Sequence, residues 1–398
     1  MKRLFLLASM VVFIAAGCTK TTIQNEFQKT MDFSVQSGKL TRAIVQNGDA
    51  GPGSYYTNQN FGVFAFGYQT IQGTTSAADP IMSDVMIKYY PGTEASGEIS
   101  ATPAVWKAAE NEAVYFWPND PRTVINFYAY SPASIAKNAA APMHQQLNGA
   151  VSCDVVADDN VHDGIAVTGY EHSNMYVDFM VAEPVIGATY TNPNGGTTTD
   201  DVDEDDYGKV PVVFAHKMTQ IVFKVKPSQD YSGVTFTVNS IKLNNIKNKG
   251  DYNVSAANAW TTTSNDVNAE NDYVIFPAKM ISENTPNGAP GLTADEVATV
   301  ITTNDVLVTK PVTMIPQTLA ADAQSFTIEY TIAGNNVANE TVVKNIDFIS
   351  VTTASSEAID WAPNKKITYI LNIGLHEITF EPEVDVWDTI VDSGDINI

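Results

Sequence analysis

Short apolar runs separated by turn-forming residues recur along most of this chain. The run Phe61–Tyr68 is rich in aromatic and β-branched residues, and it is long enough for a strand and too short for an independent helix. Similar runs lie at Val85–Tyr90, Ala113–Trp117, Thr123–Tyr130 and Met175–Ala182. No stretch of about 11 to 18 residues keeps a 3.6-residue apolar period, and the only helix-like segment is Ala133–Ala141. This pattern predicts an all-β protein built of antiparallel β-sandwiches.

An acidic stretch divides this series of strands from a second one. Six of the seven residues in Asp200–Asp206 are acidic, so the stretch cannot pack in a core and is expected to form a solvated loop. The second series has runs at Val210–Phe214, Gln220–Val225, Val234–Leu243, Tyr273–Phe276, Val306–Val308, Phe326–Ile332, Val342–Ile349 and Ile367–Ile373. We therefore expect two domains, residues 43–208 and 209–398, with their boundary near Gly208.

The first eighteen residues have the features of an export signal. Lys2 and Arg3 precede an apolar stretch, Leu4–Ala16, which is shorter than the roughly 20 residues that span a bilayer. The segment Ala15-Ala16-Gly17-Cys18 resembles the lipobox of bacterial lipoproteins. This resemblance implies that residues 1–17 form a cleaved signal peptide and that Cys18 carries a lipid anchor in the outer membrane.

Charge and cysteine content narrow the possible functions. The 398 residues carry a formal net charge of −23 at pH 7, which disfavours binding to nucleic acid. With Cys18 lipidated, Cys153 is the remaining cysteine, so no disulfide framework can form and the fold depends on its apolar cores.

Candidate motifs for catalysis, cofactors and metals are incomplete. An EF-hand beginning at Asp201 would need glycine at Asp206 and glutamate at Val212. The five histidines lack metal-site spacing, and no Gly-x-Ser-x-Gly motif is present. We therefore expect no enzyme, no cofactor and no metal site. The five tryptophans either pack in cores or, as in lectins, stack on sugars.

Two segments have alternating patterns that are suited to strand exchange. Near the N-terminus, Met31, Phe33 and Val35 alternate with polar residues and could fill a groove in the domain core. Near the C-terminus, Ile378 and Phe380 alternate, as do Val384 and Val386 beyond Pro382. The C-terminal pair of strands is either a donor to another subunit, within residues 378–391, or the completion of its own domain.

Eight short stretches, each a strand with its turn, recur in order over nearly the whole chain: Phe61–Ala65, Tyr115–Pro118, Phe127–Pro132, Asp178–Ala182, Val213–Met218, Ile315–Thr318, Trp361–Lys365 and Tyr369–Ile373. Together they resemble the fimbrillin-like (Mfa-like and FimA-like) pilin subunits of Bacteroidetes. The resemblance implies two tandem transthyretin-like β-sandwich domains and secretion as a lipoprotein. It also implies that a trypsin-like protease removes an N-terminal propeptide after an arginine, and Arg42-Ala43 matches that position.

The combined interpretation is a structural protein rather than an enzyme. Residues 18–42 would be a tether and removable strand, and the matured chain would join other pilin subunits in a cell-surface fimbria that supports adhesion. The alternative is a surface lipoprotein that does not polymerise and binds a glycan or another host ligand.

Overall fold

The computed structural model describes residues 29–35, 60–71, 74–75, 79–93, 103–141, 145–155, 162–172, 175–196, 202–256, 259–264, 273–276, 299–301, 306–321, 323–334, 337–351, 359–375, 377–380 and 382–387. Over these ranges the chain is almost entirely β-structure, which confirms the all-β prediction. Single-turn 3₁₀ helices occur at Glu204–Asp206 and Phe348–Ser350. No helix within the described ranges has the length and apolar character needed to cross a membrane.

The strands of the first part of the chain begin with an N-terminal segment of four residues. In chain order they are β1 (Asp32–Val35), β2 (Phe61–Ile71), β3 (Thr74–Thr75), β4 (Asp79–Tyr90), β5 (Val105–Ala108), β6 (Thr123–Ser131), β7 (Ala150–Val155), β8 (His162–Glu171), β9 (Met180–Ala182), β10 (Val185–Ala188), β11 (Lys209–Val212) and β12 (Phe214–His216).

The later strands include the longest pairings of the molecule. They are β13 (Thr219–Pro227), β14 (Val234–Asn244), β15 (Lys249–Asn253), β16 (Trp260–Ser264), β17 (Tyr273–Phe276), β18 (Thr299–Ile301), β19 (Leu307–Val308), β20 (Val312–Met314), β21 (Ser325–Gly334), β22 (Val337–Asp347), β23 (Lys365–Ile373), β24 (Ile378–Phe380) and β25 (Glu383–Val386).

Among the described residues, these strands form four sheets. The first sheet has the order β11-β1-β5-β4-β2-β6-β9-β12, with β3 added to β2 and β10 to β6. The second has the order β19-β13-β23-β24, with β20 on β13 and β25 on β23. The third is β17-β14-β21-β22 with β18 on β14, and the fourth is β16-β15-β8-β7.

The central strands of the first sheet are buried on both faces. In β2, Phe61 and Val63 face one apolar core, whereas Phe64 and Phe66 face another. Strand β6 divides in the same way, because successive side chains of a strand point to opposite faces. Burial on both faces explains why these strands are continuous apolar runs rather than alternating ones.

The first core, on the Phe61 face, is formed largely by side chains from strands of the first sheet itself. The second, on the Phe64 face, is shared with side chains of β8, β15 and β16 in the fourth sheet. A third core lies between the second and third sheets, where inward residues of β13, β14, β21 and β23 are almost completely buried. The second and third sheets thus form a sandwich, and the fourth sheet shares an apolar core with the first sheet.

The predicted boundary near Gly208 falls within a sheet rather than between sheets. Strands β11 and β12 follow that residue but pair with β1 and β9 in the first sheet. The fourth sheet combines β7 and β8 from before residue 208 with β15 and β16 from after it. The first sheet therefore extends at least to His216, and the division into two domains stays a prediction.

The helix-like segment Ala133–Ala141 is a series of turns in the structure. One local bond of the helical type remains, from the Asn138 N–H to the Ser134 carbonyl at 2.9 Å. Non-local bonds hold the start of the segment: the Ile135 N–H donates to the Leu147 carbonyl at 2.9 Å, and the Leu147 N–H donates to the Ala133 carbonyl at 3.0 Å. Short helices are marginal by themselves, so these contacts determine the conformation.

A buried tyrosine fixes the turn that precedes this segment. The Tyr130 hydroxyl donates to the Asp84 carboxylate and accepts from the Ser134 N–H at 3.1 Å. The Tyr130 ring lies over Gly62, where an added Cβ would be only 2.2 Å from the ring. A glycine is therefore required in β2 at this position.

A neutral histidine links the fourth sheet to the second. His172, just after β8, donates from Nε2 to the Thr313 carbonyl of β20 at 2.6 Å and accepts at Nδ1 from the Tyr170 hydroxyl, with 2.8 Å between these atoms. Complete burial lowers the pKa of His172 to about 4, because the charged imidazolium is poorly solvated there.

We predict that His172 makes the fold sensitive to mild acid. The unfolded chain binds a proton at His172 near pH 6.5 and the folded chain only near pH 4, so unfolding takes up a proton between these values. The contribution of His172 to stability is complete above pH 6.5 and is lost as the pH falls towards 4. Between pH 7 and pH 5 the loss should be about 2 kcal/mol.

Urea unfolding at several pH values measures this effect. His172→Gln keeps a side-chain N–H donor but cannot be protonated, so its stability should depend less on pH by this amount. Equal pH slopes in the two proteins would contradict the assignment.

Candidate functional site

The N-terminal strand β1 and Met31, the residue directly before it, place their apolar side chains inside the first core. Met31 and Phe33 are each only 3% exposed. The Phe33 ring packs edge-on against Phe61 and Phe127, with 6.0 Å between ring centroids in each pair. Val35 is partly buried against the same core. All three alternating residues of the predicted removable strand therefore contact one apolar core.

The backbone of β1 is hydrogen-bonded along both edges. On one edge it runs parallel to β11 over its four residues. On the other edge, the Met31 N–H donates to the Tyr115 carbonyl and the Trp117 N–H donates to the Lys29 carbonyl, both at 2.9 Å. Further along this edge, β1 pairs with β5. Loss of β1 would therefore leave a groove with an apolar floor and two edges of unpaired backbone groups, which would favour pairing with another strand.

Asp32 of β1 counteracts the retention that the apolar side chains provide. Burial raises the pKa of the Asp32 carboxyl, and the nearby ammonium groups of Lys107 and Lys209 offset this only in part. Asp32 borders an open cavity of about 480 Å³ between the start of β1 and the segment that follows β5. An ionised Asp32 thus weakens the retention of β1, whereas Met31 and Phe33 strengthen it.

The C-terminal candidates lie in strands that extend the second sheet. Both β24 and β25 pair antiparallel with β23 of the same chain. Ile378 and Phe380 pack partly buried against the third core, whereas Val384 and Val386 are 40% and 42% exposed. In this structure the tail completes its own sheet, an arrangement compatible both with a subunit before strand exchange and with a tail that stays in place.

A buried polar cluster that the sequence analysis missed lies near the end of this tail. The His216 Nδ1 atom is 2.9 Å and 2.8 Å from the two carboxylate oxygens of Asp178, and both side chains are almost fully buried. The Trp387 ring stacks on the imidazole with 3.8 Å between centroids and 5° between ring planes. The available signal was that Asp178 and His216 each interrupt an apolar stretch, but no local spacing could connect them.

The remaining predicted positions are either undescribed or structural. The signal peptide, Cys18, Arg42, Ala43 and the start of the acidic stretch lie outside the described residues. The described acidic residues Asp203–Asp206 form an exposed turn that Asp203 caps. Within the described ranges, no group of three or more potential metal ligands comes together.

The five tryptophans are all buried. Their exposed fractions lie between 1% and 8%, for Trp106, Trp117, Trp260, Trp361 and Trp387. They belong to the apolar cores, which is the packing role rather than the sugar-stacking role considered from the sequence. Cys153 is partly buried in β7.

The fold and the site define a class of all-β protein whose first sheet incorporates a short N-terminal strand. The family model described as fimbrillin-like matches residues 41–387 of this chain. The chain belongs to the fimbrillin-like family, which confirms the resemblance found in the sequence.

The chain is also similar to several solved structures. A fimbrial protein from Bacteroides vulgatus is 18% identical, with 82% of this chain and 92% of that chain covered and a TM-score of 0.46. A proposed cell adhesion protein from Bacteroides uniformis is 16% identical, with 90% and 98% covered and a TM-score of 0.43. The tip fimbrial protein Mfa3 from Porphyromonas gingivalis, truncated at its C-terminus, is 10% identical, with 83% and 95% covered and a TM-score of 0.29. Among curated proteins, none matches this chain.

We predict that the core contact of Phe33 stabilises the uncleaved chain. Phe33→Ala removes a ring that is 3% exposed and leaves a cavity between Phe61 and Phe127, so unfolding should become easier by about 3 to 5 kcal/mol. Val343→Ala, at a position 59% exposed on β22, is the control and should cost no more than about 0.5 kcal/mol. Denaturant unfolding measures both, and a Phe33→Ala cost below about 1 kcal/mol would show that β1 contributes little to the fold.

Proposed function

We propose that this protein is a structural subunit of a cell-surface fimbria, made as an outer-membrane lipoprotein precursor and assembled by strand exchange. Membership of the fimbrillin-like family supports the fimbrial role, and this family is one of structural and adhesion proteins rather than enzymes. The observation that carries the proposal is β1, a four-residue strand that is deeply packed in the core and lies only a few residues before Arg42.

In the proposed precursor, Cys18 anchors the chain to the outer membrane and β1 occupies the groove in the first core. A trypsin-like protease then cuts between Arg42 and Ala43. The cut separates β1 from the rest of the chain, so that only non-covalent contacts hold it. The precursor therefore folds with a filled groove, which avoids premature pairing of its exposed edges with other chains.

After β1 leaves, a strand from another subunit fills the groove. Main-chain hydrogen bonds to β11 and to the segment around Tyr115 would supply affinity, and alternate apolar side chains would occupy the positions of Met31, Phe33 and Val35. The donor we propose is the C-terminal tail, with Ile378, Phe380, Val384 and Val386 as the inserted residues. The resulting fimbria supports adhesion, and its adhesive ligand would be a host molecule or glycan.

The burial of all five tryptophans weighs against the alternative of a monomeric glycan-binding lipoprotein. Such a protein needs an aromatic surface that a sugar ring can reach, and the indole rings of this chain are instead part of its cores.

Arg42→Ala tests the maturation step. The variant should be exported and folded but remain a monomer, because β1 stays covalently attached and continues to occupy the groove. Arg122→Ala removes an exposed arginine that pairs with Asp120 and is 80 residues from Arg42 in the sequence, and this variant should assemble normally. Heat-sensitive ladders on a gel report assembly, and ladders of normal length from Arg42→Ala would exclude this maturation site.

A double substitution in the tail tests the donor role. Because Val384 and Val386 are about 40% exposed, changing both to Asp should leave the monomer folded. The same carboxylates in a groove that buries Met31 and Phe33 to 3% exposure would be strongly unfavourable, so polymerisation should be lost. Thr379→Asp, at the exposed position between Ile378 and Phe380, is the matched control. Normal polymers from the double variant would show that these valines do not enter the groove.

A further inference from the structure

The last described strand, β25, is short, and at its start an exposed ion pair joins Glu383 to Lys224 of β13 at 3.7 Å. It forms four residue pairs with β23 at the edge of the second sheet, from Thr368↔Glu383 to Lys365↔Val386. All four of its residues are exposed. A short edge strand with so little apolar burial is expected to open readily unless something else holds it.

The residue directly after β25 is, in contrast, deeply buried. Trp387 is 6% exposed and belongs to the second core, together with Phe64, Tyr128 and Met218. Its indole stacks flat on the imidazole of His216, which lies on β12 of the first sheet. The tail that extends the second sheet is therefore fastened to the first sheet by one side chain.

The surface that receives Trp387 is hydrogen-bonded to its surroundings. Asp178 holds the His216 imidazole through Nδ1, which fixes the orientation of the ring face on which the indole stacks. The backbone is tied to the same place, because the Trp387 N–H donates to the Asn364 carbonyl at 2.9 Å. The Asn364 N–H in turn donates to the Met218 carbonyl at 3.0 Å.

We propose that Trp387, seated on the His216–Asp178 pair, is a latch that holds β25 on its own subunit and sets how readily this strand is released. Its regulatory consequence rests on the proposed function, in which this tail is the donor strand. To leave, β25 must withdraw the indole from the second core and uncover the buried imidazole–carboxylate pair. Val384 and Val386 are exposed and contribute little to the retention of β25. Because Trp387 provides the retention, the two valines can still suit the groove of another subunit.

Hydrogen exchange in the full-length, uncleaved protein tests the latch. In Trp387→Ala, amide exchange in β25 should become at least about tenfold faster, whereas exchange in β14 and β21 should not change. Trp106→Ala is the control, because Trp106 is a comparably buried indole but lies in the first core on β5, which does not pair with β25. If Trp387→Ala fails to fold, Trp387→Leu keeps an apolar side chain but removes the stacked ring, and the same faster exchange is expected.

Asp178→Ala tests the role of the pair beneath the indole. Without the carboxylate the imidazole loses its partner at Nδ1, so exchange in β25 should also accelerate, whereas Trp106→Ala leaves it unchanged. Unchanged exchange of β25 in the Trp387 variants, or an equal increase in Trp106→Ala, would overturn the latch.

Assembly of the matured protein separates the latch from the donor-strand hypothesis. If both are correct, Trp387→Ala should also form polymers about tenfold faster, in proportion to the increased opening of β25. Faster exchange with an unchanged rate of polymerisation would leave the latch intact and remove the tail from the role of donor. Unchanged exchange would reject the latch whatever the rate of assembly.

Discussion

The structure depends on two strands, β2 and β6, that are buried on both faces. Odd-numbered side chains of these strands pack in the first core, and even-numbered ones pack in the second. The same two strands therefore contact both the core that holds β1 and the core that holds Trp387. Phe61 and Phe127 receive Phe33 on one face, and Phe64 and Tyr128 lie in the core that receives Trp387 on the other. The segment around Phe33 and the side chain of Trp387 thus contact opposite faces of the same two strands.

The long central strands and the short strands β1 and β25 differ in how they are held in the fold. The central strands pair over many residues and carry almost no exposed apolar surface, whereas β1 and β25 have four residues each. The two short strands are nevertheless held differently. Strand β1 is retained by three alternating side chains and by backbone bonds on both edges, so a covalent cut alone does not remove its contacts. Strand β25 is exposed along its length, and we propose that the residue that follows it contributes most to its retention.

Pairs of buried polar groups help to determine which distant segments of the chain pack together. Tyr130 with Asp84, His172 with Thr313 and His216 with Asp178 each join segments that are distant in sequence. Each pair satisfies groups that would otherwise be costly to bury, and each therefore favours one arrangement of the sheets over others of similar apolar content. Tyr130 and His172 remain uncharged because burial disfavours their ionised forms.

The sequence by itself determined the all-β class, the positions of long strands such as β2, β6, β14 and β23, and the fimbrillin-like resemblance. These features are local, since alternation and continuous apolar runs are properties of a few adjacent residues. Which strands pair was decided only by the tertiary structure. The parallel pairing of β1 with β11, the sheet shared by β8 and β15, and the stacking of Trp387 on His216 each join residues far apart in the chain. Such contacts leave no periodic signal, because they depend on which apolar surfaces are covered together once the strands pack.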